Sequence, residues 1–339
     1  MPNIYYEMPD PLYETIGLMI ACNNADSIKK DTVQALNSMG IDGDAFYASY
    51  MNVFDAYLDE FNNHYKPGNS DALFFNGIDT GMMLLILSLL VENKEIIKSV
   101  DRYEDSDINK EIIDHICSLN DMKPENTMYS LDGCMDMLGK LSYTDKEKWK
   151  LIQIMNSPKN RFTELISSIS VNKHAYQKAI DKVSAPLSEL LAQYLAAVKQ
   201  QKSELFGKLK KSLSKNADVF PSLAFPVSQM IFSNGCYYGL LSSSITSNSV
   251  PERDALLRGL KALSDASRLE IMHLINQRPM YNLEIAEQLH LTAATMSHHM
   301  GILLACGFVG VTKRDSKVYY HLESDSVKRF IKSLEKSLI

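Results

Sequence analysis

The stretch from Asn282 to Leu322, NLEIAEQLHLTAATMSHHMGILLACGFVGVTKRDSKVYYHL, restricts the fold more than any other part of the chain. Asn282 is a residue type that accepts hydrogen bonds from the free amides of a helix start, and Leu283, Ala286 and Leu289 then share one helical face. A tight turn at His290 and Leu291 leads to Thr292, a second capping residue, after which Met296, Met300 and Leu303 recur at helical spacing. The small Ala286 lets the two helix backbones approach closely, as a helix-turn-helix requires. Gly307 supplies a stop, Phe308, Val309 and Val311 suit a strand, and Val318, Tyr319, Tyr320 and Leu322 suit its return. Between the strands Lys313, Arg314, Asp315, Ser316 and Lys317 make a charged hairpin tip. The pattern predicts a winged helix-turn-helix.

Upstream, ALSDASRLEIMHLI from Ala262 to Ile275 offers Ser264 or Asp265 as a cap and places Leu269, Met272 and Ile275 on one side of a further helix. This segment, followed by Ser297-His298-His299-Met300 and Ala305-Cys306-Gly307-Phe308-Val309, resembles the arsenic-repressor (ArsR/SmtB-like) family of bacterial transcription regulators. The resemblance covers the last ninety or so residues and implies nothing about the first 240. It implies dimerisation through the flanking helices, here Arg253 to Leu263 with Ala255, Leu256 and Leu260, and Ser326 to Ile339 with Val327, Phe330, Ile331 and Leu334; packing within one chain is the alternative. Many family members bind metal through cysteines in the first helix of the motif or through His, Asp and Glu on the terminal helix. Residues Tyr281 to Ala286 hold no cysteine and the terminal helix no histidine or cysteine, so neither metal site is expected, and no cofactor. His290, Ala266 and Ser316 depart from the family's common glycine, proline and glycine.

Reading a major groove takes a helix that shows short polar side chains to base edges while the preceding helix anchors its other face. With Met296, Met300 and Leu303 pointing inward, the candidates for DNA contact are Ala293, Thr295, Ser297 and His298. Thr295 and His298 are assigned to base edges, Ala293 to a thymine methyl or a close backbone approach, and Thr292 and Ser297 mainly to phosphate. Residues Thr292 to Cys306 contain no Lys, Arg, Asp or Glu, so charge-assisted phosphate binding falls to Lys313, Arg314 and Lys317 of the wing. Taken alone, those charges describe a solvated hairpin tip better than a DNA contact; the motif beside them reverses that reading. Neighbouring His298 and His299 diverge by about 100° around a helix and do not share one ion; His299 is expected as a packing residue and Cys306 as a small buried hydrophobe.

The 339 residues are 45% hydrophobic, enough for two domains, expected at 1–245 and 246–339. The net charge of −6 is unevenly spread: from Pro251 onward 12 basic residues face 10 acidic, leaving −8 on the remainder. An acidic body attached to a mildly basic module suits a sensor joined to a nucleic-acid reader. Five scattered cysteines without a C-x-x-C pair point to a reducing, cytoplasmic setting. The start MPNIYYEMPDP has no basic leader before an apolar core, and the apolar run Gly81 to Val91 falls short of the ~20 residues that cross a bilayer, so no membrane association is expected.

In chain order, Asn3 to Met8 reads as a strand ended by Pro9 and Pro11, then a helix with Leu12, Ile16, Met19 and Ile20 on one face. Helical patterns follow near Asp26 to Met39, Asp44 to Phe61, Asp71 to Val91, Asn109 to Leu119 and Lys146 to Met155. Ser184 and Pro186 start a long helix running to about Lys215, ~45 Å at 1.5 Å per residue, which braces the domain or lines a dimer interface. Phe220 to Leu241 is broken by Pro221, Pro226, Gly235 and Gly239 and reads as strands that pair with the first one. The Ser-rich stretch Ser242 to Glu252 reads as a linker. The fold class is thus mainly α: a C-terminal winged helix-turn-helix joined to a larger, predominantly helical N-terminal domain with a few strands.

The body shows no H-E-x-x-H, P-loop, G-x-S-x-G or dinucleotide fingerprint, so no enzyme is expected. Its aromatics (Tyr47, Tyr50, Phe54, Tyr57, Phe61, Phe74, Phe75) either pack the core or line a pocket. The expected function is a DNA-binding transcriptional repressor acting as a homodimer on a pseudo-palindromic operator, with a non-metal signal, a small molecule or a protein, received by the N-terminal domain. The alternative is an N-terminal enzyme or scaffold whose winged helix serves protein association.

Overall fold

The computed structural model describes residues 5–38, 41–78, 80–120, 122–141, 143–199, 218–232, 235–242, 244, 252–291, 293–314 and 317–339. The chain is mainly helical. Its N-terminal part contains α1 (Pro11–Asn23), α2 (Ala25–Ser38), α3 (Gly43–Tyr50), α4 (Asn52–His64), α5 (Asp71–Phe75), α6 (Thr80–Glu92), α7 (Lys94–Ser99), α8 (Asp105–Leu119), α9 (Leu131–Lys140), α10 (Asp145–Met155), α11 (Pro158–Lys182) and α12 (Ser184–Lys199). A small sheet of β1 (Asp218–Ser222), β2 (Gln229–Ile231) and β3 (Gly235–Gly239) follows, in the order β1-β3-β2, with β1 parallel and β2 antiparallel to β3. The continuation of the last long helix to Lys215 falls outside the described residues beyond Lys199.

The centre of this part is α1. Asp10 caps it, its Oδ1 accepting from the amides of Leu12 at 2.9 Å and Tyr13 at 3.1 Å, and Pro11 takes the first helical position. Every residue from Tyr13 to Ala21 is buried. The helix is therefore enclosed all round, where a single apolar face was expected, because α4, α5 and α11 pack against it while Ala224 and Phe225 crowd Gly17. A Cβ on Gly17 would lie 2.7 Å from both.

Enclosure places one carboxyl group, Glu14, wholly inside the protein. It accepts from Ser222 Oγ at 2.7 Å, Tyr57 OH at 3.0 Å, the Ala224 amide at 3.0 Å and the Leu223 amide at 3.2 Å. These donors fasten the turn after β1 to α1 and α4. Burial pushes the carboxyl up to about 7, while the bonds from Ser222, Tyr57, Ala224 and Leu223 pull it down. Beside it Tyr6, Phe220, Tyr237 and Tyr13 form a stacked run with centroid separations of 4.0, 5.1 and 3.5 Å. The expected strand from Asn3 to Met8 is reduced to one parallel bridge, Tyr5 to Val219, with the Tyr6 amide donating to Val219 O at 2.9 Å; residues 1–4 lie outside the described residues. The pairing with the Phe220 segment holds.

Two helices expected as continuous are broken. Asp44 to Phe61 divides at Met51, where Asn52 Oδ1 accepts the Val53 amide and restarts the chain as α4. Asp71 to Val91 divides at Gly77, whose φ of 59° a glycine adopts readily and which Asn24 fixes by bonds to Phe75 O at 2.7 Å and the Gly77 amide at 2.8 Å. The unforeseen α11 packs along α4. Its buried stripe runs through Phe162, Leu165, Ile169, Ala175, Tyr176 and Ala179 but also contains Ser168 and Asn172, which interrupt the apolar pattern. Asn172 is satisfied by the amide and carbonyl of Lys66, each at 2.8 Å, and Ser168 by Asp71 at 2.9 Å.

The C-terminal part has its own core. It contains α13 (Glu252–Leu263), α14 (Ala266–Gln277), β4 (Met280–Tyr281), α15 (Asn282–Leu289), α16 (Ala293–Ala305), β5 (Val309–Arg314), β6 (Lys317–Leu322) and α17 (Ser324–Leu338). Ile271, Ile275, Met280, Ile285, Met296, Met300, Leu303, Phe308 and Val309 fill the core. On α14 the buried residues are Ile271 and Ile275, whereas Leu269, expected inside, is 49% exposed. Ile271 and Ile275, four residues apart, take the face packed on the core, which leaves Leu269 on the opposite side of the helix.

Two measurements test these local causes. Glu14→Gln sets an amide donor against converging donors and is expected to cost about 1–3 kcal/mol in urea unfolding of the full chain. The ordinary carboxyl value is 4.5 and the folded one about 7, so the stability this group contributes is full below about 4.5 and lost as pH rises to about 7; the glutamine variant should lack that slope.

Candidate nucleic-acid interface

The two-helix unit is set by its turn. His290 has φ 53°, the one non-glycine residue with positive φ among the described residues. The Leu291 amide donates to Ala286 O at 2.9 Å and the His290 amide to Glu287 O at 3.4 Å, the bonding pattern that closes a helix through a left-handed residue. A second such closure ends α16: Gly307 has φ 71°, its amide donates to Leu304 O at 2.9 Å, and the Phe308 amide donates to Leu303 O at 3.0 Å. Hence α16 is bounded by two sharp reversals that fix where it begins relative to α15 and where the wing departs.

The inner face of α16 is the one expected. Met296, Met300 and Leu303 are 0–1% exposed and pack in one core with Ile285 and Ala286 of α15. Asn282 is the first residue of α15 and not its cap; Tyr281 occupies the capping position and makes no side-chain capping bond. The reason is that Tyr281 belongs to β4, which the expected two-stranded hairpin lacked. The wing is a three-stranded antiparallel sheet in the order β4-β6-β5, pairing Met280 with Tyr320 and Tyr281 with Tyr319, whose rings meet edge to face at 5.8 Å. A two-residue Met-Tyr strand carries too little periodicity to be read from sequence.

Of the residues singled out for DNA, Thr295 is exposed on α16. Ala293 is the first residue of that helix, and Ser297 and His298 lie within it; Lys313 and Arg314 end β5 and Lys317 begins β6, with Arg314 paired to Lys317 across the tip. Thr292 lies outside the described residues, as do the side chains of Ala293, Ser297, His298, Lys313, Arg314 and Lys317. The backbone thus assembles two groups, a helix start and a hairpin tip.

Residues on the inner side complete the unit. His299 is 8% exposed, with Nδ1 3.7 Å from Asp265 Oδ1. Cys306 directs its thiol at Arg258 O at 3.9 Å; burial pushes that thiol up to about 11 against the pull of Arg258 and Arg268, so it is neutral at physiological pH. Arg268 reaches back to the carbonyls of Ala262 and, at 3.0 Å, Lys261. The cap at Asp265, offered together with Ser264, and the inward placement of His299 were legible from residue type and position; the tertiary partners were not. No described helix is long and apolar enough to cross a membrane.

Holding the turn at φ 53° strains a side-chain-bearing residue. His290→Val is expected to destabilise by about 1–2 kcal/mol and His290→Gly to relieve the strain, read as faster and unchanged-or-slower amide exchange in α15 and α16 respectively.

A family model described as bacterial regulatory protein, arsR family, matches residues 265–311, the span from the cap of α14 through both helices of the motif into β5. Over 76 residues the chain is 33% identical to an uncharacterised HTH-type transcriptional regulator of Methanocaldococcus jannaschii, an overlap of 22% of this chain and 85% of that protein. No solved structure matches. The left-handed turn, the methionine-faced second helix and the start of the wing fall within this matched span, and the chain therefore belongs, through its C-terminal part, to the arsR family of DNA-binding bacterial transcription regulators.

Proposed function

We propose that this protein is a transcriptional repressor that binds a pseudo-palindromic operator as a homodimer and is controlled by a non-metal signal received by residues 1–245. The observation that carries the reading is the orientation of α16. Its Met296, Met300 and Leu303 are buried while Thr295 is exposed, so the helix presents its hydroxyl-bearing side outward. An uncharged helix of this kind gains specificity from base edges and takes its phosphate affinity from cations elsewhere, which the wing sequence Lys313, Arg314 and Lys317 supplies. Thr295 and His298 are the proposed base readers, Ala293 the thymine-methyl or close-approach position, and Thr292 and Ser297 the phosphate contacts.

Dimerisation is supported by uncovered apolar surface on the two flanking helices. Gly259 of α13 lies against Phe330 of α17, where a Cβ would come within 2.2 Å of the ring, so these helices are in close contact within one chain. Yet α17 has no buried residue, and Leu257, Leu260, Ile331 and Leu338 are 41–76% exposed. A second copy covering this surface would also double the number of reading helices, which matches the weak grip of one uncharged helix. The signal-receiving role of the helical body, in place of catalysis, follows the same division: one acidic helical unit and one reader in a single chain.

Anisotropy titrations of labelled duplex at several salt concentrations test the reading. His298→Ala is expected to relax sequence preference by about 1–3 kcal/mol, while Lys313→Ala weakens all sequences alike and shallows the salt slope; equal losses on selected and random duplex for His298→Ala would remove it as a base reader. Ile331→Glu, at an exposed position, is expected to leave thermal stability within about 0.5 kcal/mol and to convert dimer to monomer in light scattering. A wild-type chain already monomeric at micromolar concentration would sink the dimer.

A further inference from the structure

We propose that His299 is a positioning residue of the DNA-reading helix, holding α16 in register with α13 through Asp265 and Arg268. This rests on the DNA-binding reading above. The apolar inner face of α16 attracts its neighbours without direction, so by itself it fixes neither the rotation of the helix nor its slide along its axis. Polar contacts do, since they weaken steeply with distance and angle.

Four side chains, Asp265, His299, Arg268 and Cys306, lie along one such seam. Asp265 Oδ1 accepts the Arg268 amide at 3.0 Å, which starts α14, and the same oxygen lies 3.7 Å from His299 Nδ1, beyond hydrogen-bond length but within ion-pair range of a protonated imidazole. Arg268, one turn into α14, turns its guanidinium back onto the carbonyls of Lys261 and Ala262 at the end of α13, groups that a helix terminus leaves without intrahelical partners. Seven residues beyond His299, just past the end of α16, Cys306 Sγ meets Arg258 O of α13 at 3.9 Å. The end of α13, the start of α14 and the middle of α16 are thereby keyed together. Because α13 begins at Glu252, right after the Ser-rich stretch that links it in sequence to the N-terminal part, any displacement of α13 reaches the reader through this seam. A buried imidazole on the inner side of the reading helix has no use in base readout; its use here is to meet Asp265.

The test uses the full chain and a labelled duplex selected by the wild-type protein from a randomised pool. Asp265→Asn keeps the helix cap, since Asn caps as well as Asp, but removes the charge facing the imidazole. His299→Leu suits the apolar surroundings and removes the imidazole, whereas His299→Gln retains an N–H that reaches the carboxylate. Asp265→Asn and His299→Leu are each expected to weaken duplex binding about tenfold with thermal midpoints unchanged or raised, the double variant to be no weaker than either single one, and His299→Gln to stay within about twofold of wild type. Losses that add in the double variant, that track a fall in thermal midpoint, or that are absent would overturn the inference alone. A wild-type chain that selects no duplex would overturn the DNA-binding reading, and this inference with it.

Discussion

The reader depends on one reversal of the chain, at His290. A helix that ends in the left-handed region sends the next segment off at a steep angle, and the bonds from Leu291 and His290 to Ala286 and Glu287 fix that angle. Only with it fixed do Met296, Met300 and Leu303 meet Ile285 and Ala286, and only then is Thr295 left on the outside. A histidine holds a conformation that most side chains resist, so the packing of α16 on α15 must outweigh the local strain. The matching closure at Gly307 then delivers Phe308 and Val309 into the same core, so the wing begins where the reading helix stops.

The helical body follows another rule, that polar groups may enter a core provided each finds partners. Glu14 is surrounded by donors from α4 and from the turn after β1, and Asn172 bridges the backbone of Lys66 in both directions. Such contacts are directional, and they specify which of many similar helix packings forms. They also join residues far apart in sequence: Glu14 to Ser222 and Asn172 to Lys66. The same logic recurs at smaller scale in the C-terminal part, where Asp265, Arg268 and His299 key three helices around an otherwise non-directional methionine and leucine core.

Legibility in the sequence followed the range of the forces involved. The cap at Asp265, one of two candidates with Ser264, the glycine stop at Gly307 and the 3.6-residue recurrence of Met296, Met300 and Leu303 act within a few residues, and the structure bears each out. Errors arose where a distant contact overrode the local pattern. Leu269 looked inward but is exposed, β4 owes its existence to pairing with β6, and α11 was hidden because Ser168 and Asn172 occupy core positions that distant partners satisfy. The break at Gly77 was unreadable for a related reason, since its turn is pinned by Asn24, more than fifty residues away.

By itself, the order of residues determined that the chain is mainly helical, that its last ninety or so residues make a winged helix-turn-helix of the arsR kind, and which side of the second helix faces inward, because side-chain periodicity and helix termination are short-range properties. The tertiary structure alone decided that α1 is enclosed on all sides, that the wing has three strands, and that His299 faces Asp265. Each of these joins residues brought together only by folding, and no local pattern records whether a buried carboxylate or imidazole will find its partner.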